Sequence, residues 1–314
     1  MPYPEAYLWG RKAGIWKEPK YCEIEALKVK ANGSWKACKG GFYNKQGEWF
    51  EFGMCAPSGG YSISNSLNFD GSNDWARFAN SSATEPLSKI FENPGGTIAM
   101  WIKITGTTNY SNQYFFQNGW GGGWNVLYWI YPFSGSNYNI RIRQHRTSGN
   151  YGGWSCRTGG NDYNFAIGTW YFVSVSYDNQ GSQNTPIFRY APETASSLTD
   201  ITSPYTEKAA QGSPRMMTAH YAAIGAGKGG DTPRPLKAHL SLFGMWDTIL
   251  TEAECDTLFN SGAPSNFGDV QSNKLLFFHD MNTISGSTIS PVTGSSIYNI
   301  TTNNGAALTA DVPS

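Results

Sequence analysis

Between Ala223 and Pro264 the chain reads AIGAGKGGDTPRPLKAHLSLFGMWDTILTEAECDTLFNSGAP, and this segment constrains the architecture more than any other. An Ile224-Gly225 start and a Gly/Pro-rich loop lead into an apolar run ending Phe243-Gly244-Met245-Trp246-Asp247, the pattern of a strand. A helix then follows. Thr251 with Glu254 three residues on forms a capping box, and Leu250, Leu258 and Phe259 supply an apolar side. Gly262 and Pro264 end it within a few turns. Glu252 and Glu254 are explained by the favourable dipole of a first helical turn, so they are not read as a catalytic pair.

The rest of the chain offers little more helix. Of 314 residues 15% are aromatic and only 15% charged, with 36 glycines among abundant Ser, Thr and Asn. That balance describes many short strands joined by tight turns around a sizeable core.

Residues 1–55 stand apart, being richer in Lys. They carry a degenerate repeat in which a turn glycine precedes a tryptophan by two positions: Gly14-Ile15-Trp16, Gly33-Ser34-Trp35 and Gly47-Glu48-Trp49. Hairpins whose second strand begins just after the turn give this spacing, so a small β-meander is expected. It is too small for a large core of its own. Trp16, Trp35 and Trp49 either form the centre of that mini-domain, or make attachment contacts, or both.

Ala56-Pro57-Ser58-Gly59-Gly60 reads as a connection. After it, SLNFDGSNDWARF places Leu67 and Phe69 on one face, turns at Asp70-Gly71 and returns through Trp75 to Phe78. GTIAMWIKIT aligns Ile98, Met100, Ile102 and Ile104, and GTWYFVSVSYDN sets Tyr171, Val173, Val175 and Tyr177 against Ser174 and Ser176.

These segments, in this order and together with the Phe243–Asp247 strand and its helix, resemble laminin-G-like and pentraxin-like domains. The resemblance covers roughly residues 65–264. It implies an all-β fold: a concanavalin A-like, two-sheet antiparallel jelly-roll sandwich, with the N-terminal β-meander and one short C-terminal helix. Three regions are expected: 1–55, an attachment region; 56–265, the jelly roll; and 266–314, a strand at Leu275–Phe278 followed by a Ser/Thr/Asn-rich extension. The Gly-x-Trp-Lys segments resemble those near the ends of bacteriophage tail-fibre and other virion proteins, and the C-terminal stretch resembles extensions of phage laminin-G-like proteins.

The resemblance also frames the chemistry. Glucan-cleaving enzymes of this fold need a strand of alternating acids, because two carboxyls must flank the glycosidic bond. No such strand is present: Glu85, Glu92, Glu193 and Glu207 stand alone in loop-like contexts. His145, His220, His239 and His279 lack metal-ligand spacing, so no enzyme is expected.

No cofactor is expected either. Calcium is the metal the resemblance raises, with Asp70, Asn73 and Asp74 as candidate ligands; the competing reading has Asp70-Gly71 building a turn and Asn73 and Asp74 solvated. Gly227-Lys228-Gly229 stands where pentraxin-like domains carry an acidic cluster. Five cysteines include no Cys-x-x-Cys pair and are read as mostly buried thiols, with a Cys22–Cys38 bridge as the alternative.

Glycan contact fits better. From Asn109 to Tyr163 glycines flank aromatics interleaved with Asn, Arg and His, and sugars need flat aromatic faces with amide or guanidinium donors. The candidate carbohydrate-binding residues are Trp120, Trp124, Arg143, Arg146, Asn150, Tyr151 and Trp154, while Trp101 and Trp129 are assigned to the core. Aromatic loops of this kind serve equally well between subunits.

The formal net charge is zero. No overall field therefore recruits nucleic acid or an anionic membrane, and no apolar run reaches the ~20 residues of a membrane span. Met1–Glu5 lacks the basic and apolar regions of a signal peptide, so synthesis in a host cytoplasm and residence in a virion are expected. The functional expectation is a structural phage virion protein (tail fibre, adhesin or capsid decoration) displaying a lectin-like domain. Its expected partners are other virion proteins through residues 1–55, a host or environmental glycan, and further copies of itself. A free carbohydrate-binding lectin is the alternative, and a glycoside hydrolase the third reading.

Overall fold

The computed structural model describes side chains for most of residues 61–78, 95–108, 113–117, 138–144, 152–156, 165–178, 185–209, 222–225 and 234–313, with Leu87 and Ile90. Backbone alone is described for the N-terminal strands and for the strand spanning Val126–Ser134. The chain divides into two compact units, Met1–Gly60 and Tyr61–Ser314.

The first unit contains three two-stranded antiparallel hairpins: β1 (Arg11–Lys12) with β2 (Ile15–Trp16), β3 (Lys28–Ala31) with β4 (Ser34–Ala37), and β5 (Gly40–Lys45) with β6 (Glu48–Gly53). In each, the pairing closes over two residues ending in glycine: Lys12 faces Ile15, Ala31 faces Ser34, and Lys45 faces Glu48. The Gly-x-Trp repeat is thus a repeat of hairpins. A continuous meander was expected; among the described residues the three hairpins are separate sheets.

The second unit begins with β7 (Ser66–Asp70), β8 (Trp75–Phe78), β9 (Gly96–Ile104), β10 (Gln113–Asn118), β11 (Val126–Ser134), β12 (Asn137–His145) and β13 (Tyr151–Ser155). It continues through β14 (Phe165–Ala166), β15 (Trp170–Tyr177), β16 (Ile187–Pro192), β17 (Thr199–Ile201), β18 (Tyr205–Lys208), β19 (Ala223–Ile224) and β20 (Lys237–Trp246). After helix α1 (Glu252–Phe259) come β21 (Leu275–His279), β22 (Ile284–Ser285), β23 (Thr288–Ile289), β24 (Thr293–Gly294), β25 (Ile300–Asn303) and β26 (Ala307–Thr309).

These strands form two antiparallel sheets, a jelly-roll sandwich as expected. The larger runs β18-β13-β12-β11-β10-β19-β8-β25-β23-β22, with β14 beside β12. The smaller runs β17-β16-β15-β9-β20-β21-β24, with β7 on β20 and β26 on β7. One core lies between the sheets. Ile98, Met100 and Ile102 of β9 and Val173 and Val175 of β15 face Phe78, Phe116, Ile140 and Ile142 of the larger sheet, all at most 3% exposed. Aromatic pairs such as Phe78–Phe277 (5.3 Å) and Phe115–Phe243 (5.7 Å), both edge to face, bridge the layers.

A second core covers the other face of the smaller sheet. Ala99, Trp101, Phe172 and Leu242 pack against Cys255, Leu258 and Phe259 of α1 and against Phe267. The capping box is present as expected: the Thr251 hydroxyl accepts from the Glu254 amide while the Glu254 carboxylate accepts from the Thr251 amide at 2.8 Å. Termination comes slightly earlier than Gly262, with Asn260 and Ser261 both in the left-handed region at φ 48° and 54°. Ser174 and Ser176 are buried on this side too. Ser176 bonds Thr97, whose hydroxyl also donates to the Thr248 carbonyl and accepts from the Leu250 amide, holding the approach to the helix.

Two sequence expectations change. The Asp70-Gly71 turn does not close a hairpin: β7 pairs with β20 and β26 in the smaller sheet, and β8 with β19 and β25 in the larger, so the turn is a corner between sheets. Residues 266–314, expected either to lie along the sandwich as an edge strand or to form a tail, place β21 and β24 in the smaller sheet and β23 and β25 in the larger. Near its end Asp311 reaches back over the smaller sheet. Its carboxylate accepts from Lys103 Nζ at 2.8 and 2.9 Å and from Trp170 Nε1 at 3.1 Å, and His239 Nδ1 lies 2.9 Å away.

Gly225, at φ +86°, shows how tight the sandwich is: a Cβ there would sit 2.4 Å from the Phe69 ring. Gly225→Ala is therefore expected to cost on the order of 2 kcal/mol by combined backbone strain and overpacking, read as a lowered urea midpoint at unchanged slope. Burial raises the Asp311 pKa, but bonds from Lys103 and Trp170 outweigh it, so the carboxyl stays below its ordinary value. Burial also lowers His239, leaving Lys103 as the cation at neutral pH. The stabilisation from ionised Asp311 is then full above the ordinary carboxylate range and is lost as pH falls through the lowered folded value. Asp311→Asn is expected to lower thermal stability at pH 7, with a difference from the parent that closes in acid.

Candidate functional site

Among the described residues, the side of the larger sheet that faces away from the core is lined by polar side chains. Along β12, Tyr138, Ile140 and Ile142 enter the core, so Asn139, Arg141 and Arg143 take the opposite face. Cross-strand partners share a face. A first row therefore runs Arg77, Ala223, Gln117, Leu127, Arg143, Gly153 across six strands. A second row runs Tyr114, Trp129, Arg141, Ser155.

The side chains of these rows are set into the face rather than standing clear of it. Gln117, Asn139 and Ser155 are at most 2% exposed and Tyr114 is 4% exposed, whereas Arg77, Arg141 and Arg143 are half-buried. Arg141 Nε lies 2.7 Å from Glu207 Oε1, and the same carboxylate accepts from the Ser155 hydroxyl. The Arg234 guanidinium lies over the Tyr114 ring at 5.3 Å, and that of Arg77 over the Trp75 ring at 5.6 Å. Burial pushes the Tyr114 phenol above its ordinary pKa, while the charges of Arg234 and Arg143 pull it back.

Three properties combine here: guanidinium forks, buried amides and hydroxyls, and aromatic rings. Ala223 and Gly153, the small residues beside Gln117 and Arg143 in the first row, are buried. Such a surface can bind hydroxyl- and carboxylate-bearing molecules by paired hydrogen bonds. Glu207 is engaged by both Arg141 and Ser155.

The sequence-based candidates distribute unevenly. Arg143 lies in the first row, while Tyr151 is paired in register with His145 and its side chain lies outside the described residues. Trp154 does not: it sits opposite Ile142, is 3% exposed and packs 5.2 Å from Tyr177 across the core, so it is no sugar platform. Its glycine-rich neighbourhood is strand β13 rather than a turn. Trp129, expected in the core, is paired in register with Arg141, and its side chain lies outside the described residues. Trp120, Trp124, Arg146 and Asn150 lie outside the described residues, as do Cys22 and Cys38. Trp16, Trp35 and Trp49 lie on the second strand of each hairpin, opposite Arg11, Lys30 and Asn44.

Among the calcium candidates, Asp70 and Asn73 are exposed but Asp74 is 2% exposed, not solvated. Both acids serve the corner itself: the Asp70 amide donates to Asp74 at 2.9 Å and the Ser72 amide to Asp70 at 2.7 Å. Burial raises the Asp74 pKa. Among the described residues, no group of three or more His, Cys, Asp or Glu side chains is placed to share a metal ion.

The sequence reading missed Arg77, Tyr114, Gln117, Arg141, Arg234 and Glu207. Part of the signal was available: Ile140-Arg141-Ile142-Arg143 alternates with period two, which assigns the arginines to one face. Glu207, read as a lone loop residue, is on β18 and paired.

No protein-family profile matches the chain, and no curated protein matches it. Solved structures do. A SAP-like pentraxin from Limulus polyphemus matches with TM-score 0.37 and 14% identity over 62% of this chain and 82% of its own. A Bacteroides ovatus protein proposed to bind carbohydrate matches with TM-score 0.46 and 16% identity, over 91% and 68%. The CBM40 of a Ruminococcus gnavus IT-sialidase, bound to α2,3-sialyllactose, matches with TM-score 0.36 and 12% identity, over 60% and 93%. At these levels the likenesses transfer no ligand to this chain.

Trp154→Ala is expected to act on stability rather than on any ligand. Truncating a buried tryptophan costs about 3–5 kcal/mol, seen as a large fall in the urea midpoint.

Proposed function

We propose that this protein is a non-catalytic, lectin-like module that binds glycan on the outer face of its larger sheet. The observation that carries this reading is the pair of cross-strand rows on that face. A surface meant only to pack would be apolar, and one meant only for solvent would not bury Gln117, Asn139 and Ser155 beside guanidiniums and rings. Amides, arginines and aromatics on a preformed floor are what sugar hydroxyls and C–H faces require.

The finer reading is that the module belongs to a bacteriophage virion, as tail fibre, adhesin or capsid decoration, with residues 1–55 attaching it to other virion proteins and copies of the chain assembled symmetrically. Support for it is the Gly-x-Trp hairpin repeat and the resemblance of that repeat to virion proteins. A free lectin is the second reading, favoured by the compactness of Tyr61–Ser314 as a unit by itself.

A glycan array probed with the intact chain and with Arg143→Gln and Arg77→Gln, both at half-buried positions, tests the binding face. Each substitution is expected to weaken binding by about tenfold, the worth of one hydrogen-bonded contact to a charged or buried group; binding equal to the parent's in both variants would remove the site from this face. Deleting residues 1–55 is expected to abolish incorporation into particles while leaving the remaining domain folded, and retained incorporation would sink the attachment role.

A further inference from the structure

We propose that the segment Ser290–Tyr298 is a flap at the edge of the sandwich, held shut while His279 is neutral and opened more often as the medium turns mildly acid. The inference is independent of the glycan reading and concerns a conformational device built into the fold.

His279 is the last residue of β21 and is fully buried. It follows Phe277 on the core side of that strand, its ring centroid 5.3 Å from that of Phe277 and 6.4 Å from that of Phe78. Its Nε2 lies 2.9 Å from the Tyr298 carbonyl; a carbonyl can only accept, so Nε2 carries the proton and donates. Tyr298 in turn covers Phe277, with 5.0 Å between ring centroids. A neutral imidazole therefore ties one end of the flap to the core.

The flap itself is thinly held. Ile289 and Ile300 on either side of it are buried, but no residue from Ser290 to Ile297 is, and Val292 is 50% exposed. Edge pairing does the holding: the Val292 amide donates to the Phe278 carbonyl at 2.7 Å, and β24 pairs with Phe277 and Phe278 at the end of the smaller sheet. Ser290, whose backbone reaches the imidazole, is exposed, so lifting this cover brings water to the ring.

No charge is placed to neutralise a protonated ring among the described residues packed on it. β20 sets Phe243 opposite His279, β8 brings Phe78, and the flap brings Ser290 and Tyr298. From Met281 to Ala310 the sequence has no charged residue. Asp280 accepts from Tyr61 at 2.9 Å and from Asn282 at 2.8 Å, the Arg77 guanidinium lies over Trp75, and Asp247 acts on the Tyr298 phenol. Burial of the ring thus prevails over the Tyr298 and Ser290 backbone bonds that favour its charged form, and holds His279 down to about 4. Once the flap opens the ring returns to its ordinary value of 6.5. Closure is at full strength above that value and weakens as pH falls toward the lowered one.

Hydrogen exchange of the intact chain at pH 7 and pH 5, corrected for the intrinsic rate of each amide, tests the flap. Protection across residues 290–299, Val292 above all, is expected to fall about twentyfold between these values, the ratio that linkage gives for one histidine moved from 6.5 to about 4. Amides of β9 and β15 are expected to stay better protected than the flap at both pH values, because it opens without them. His279→Gln, which keeps an N–H for the Tyr298 carbonyl, should remove the pH response, whereas His239→Gln, at the Asp311 contact on the other face of the smaller sheet, should keep it. Where His279→Gln fails to fold, the NMR titration of His279 in the parent decides, and the ring is expected to titrate well below its ordinary value.

Unchanged protection across 290–299, a response that persists in His279→Gln, or a His279 ring that titrates near its ordinary value in the folded chain would each overturn the proposal. Equal protection and an equal fall in the flap, β9 and β15 would show the domain opening as one unit and would overturn it as well.

Discussion

The architecture depends on the burial of the smaller sheet from both sides. β9 alternates Ile98, Met100 and Ile102 toward one core with Ala99 and Trp101 toward the other, and its two partners do the same. A strand sealed on both faces must be nearly continuous in apolar residues, and GTIAMWIKI is. Because α1 and the segment around Phe267 occupy the outer side of this sheet, the helix is structural. Its acidic first turn, its capping box and the Thr97 hydroxyl that holds the preceding loop all serve its seating over Trp101 and Phe172.

That commitment decides where binding is possible. A two-sheet sandwich has two outer faces, and here one of them is spent on packing. The other is built from long strands whose inward residues are aliphatic and aromatic and whose outward residues are Asn, Gln, Ser, Tyr and Arg. Burial of polar groups costs free energy unless each finds a partner, so their concentration on one face is not a by-product of folding. Glu207, which pairs with Arg141 and accepts from the Ser155 hydroxyl, fixes one end of this face.

The sandwich was legible in the sequence because its inner strands carry strong period-two patterns and its one helix carries a complete set of start and stop signals. The binding face was less legible for a specific reason. Aromatic residues announce themselves by type, but which side of a strand they occupy depends on register, and register is set by partners far away in the chain. Trp154 and Arg143 lie eleven positions apart in sequence and look alike as candidates; pairing with Ile142 sends the tryptophan into the core, while pairing with Gly153 puts the arginine outside.

The corner at Asp70–Asp74 illustrates how a short motif can be recognised and still be misassigned. Asp-Gly after an alternating run signals a hairpin when the two strands pair with each other. Here Phe69 of β7 packs beneath Gly225 while Phe78 of β8 packs on Phe277, so the flanking strands belong to different layers. The carboxylates that might have read as calcium ligands are engaged instead in capping backbone amides of the same corner. The chain's last strands then complete both layers: β25 lies beside β8 and β26 beside β7, and the Asp311 carboxylate is held by Lys103 and Trp170. Both strands that leave the corner are therefore flanked by the C-terminal segment, so the stability of both sheets is tied to residues whose composition leaves a choice between an edge strand and a tail.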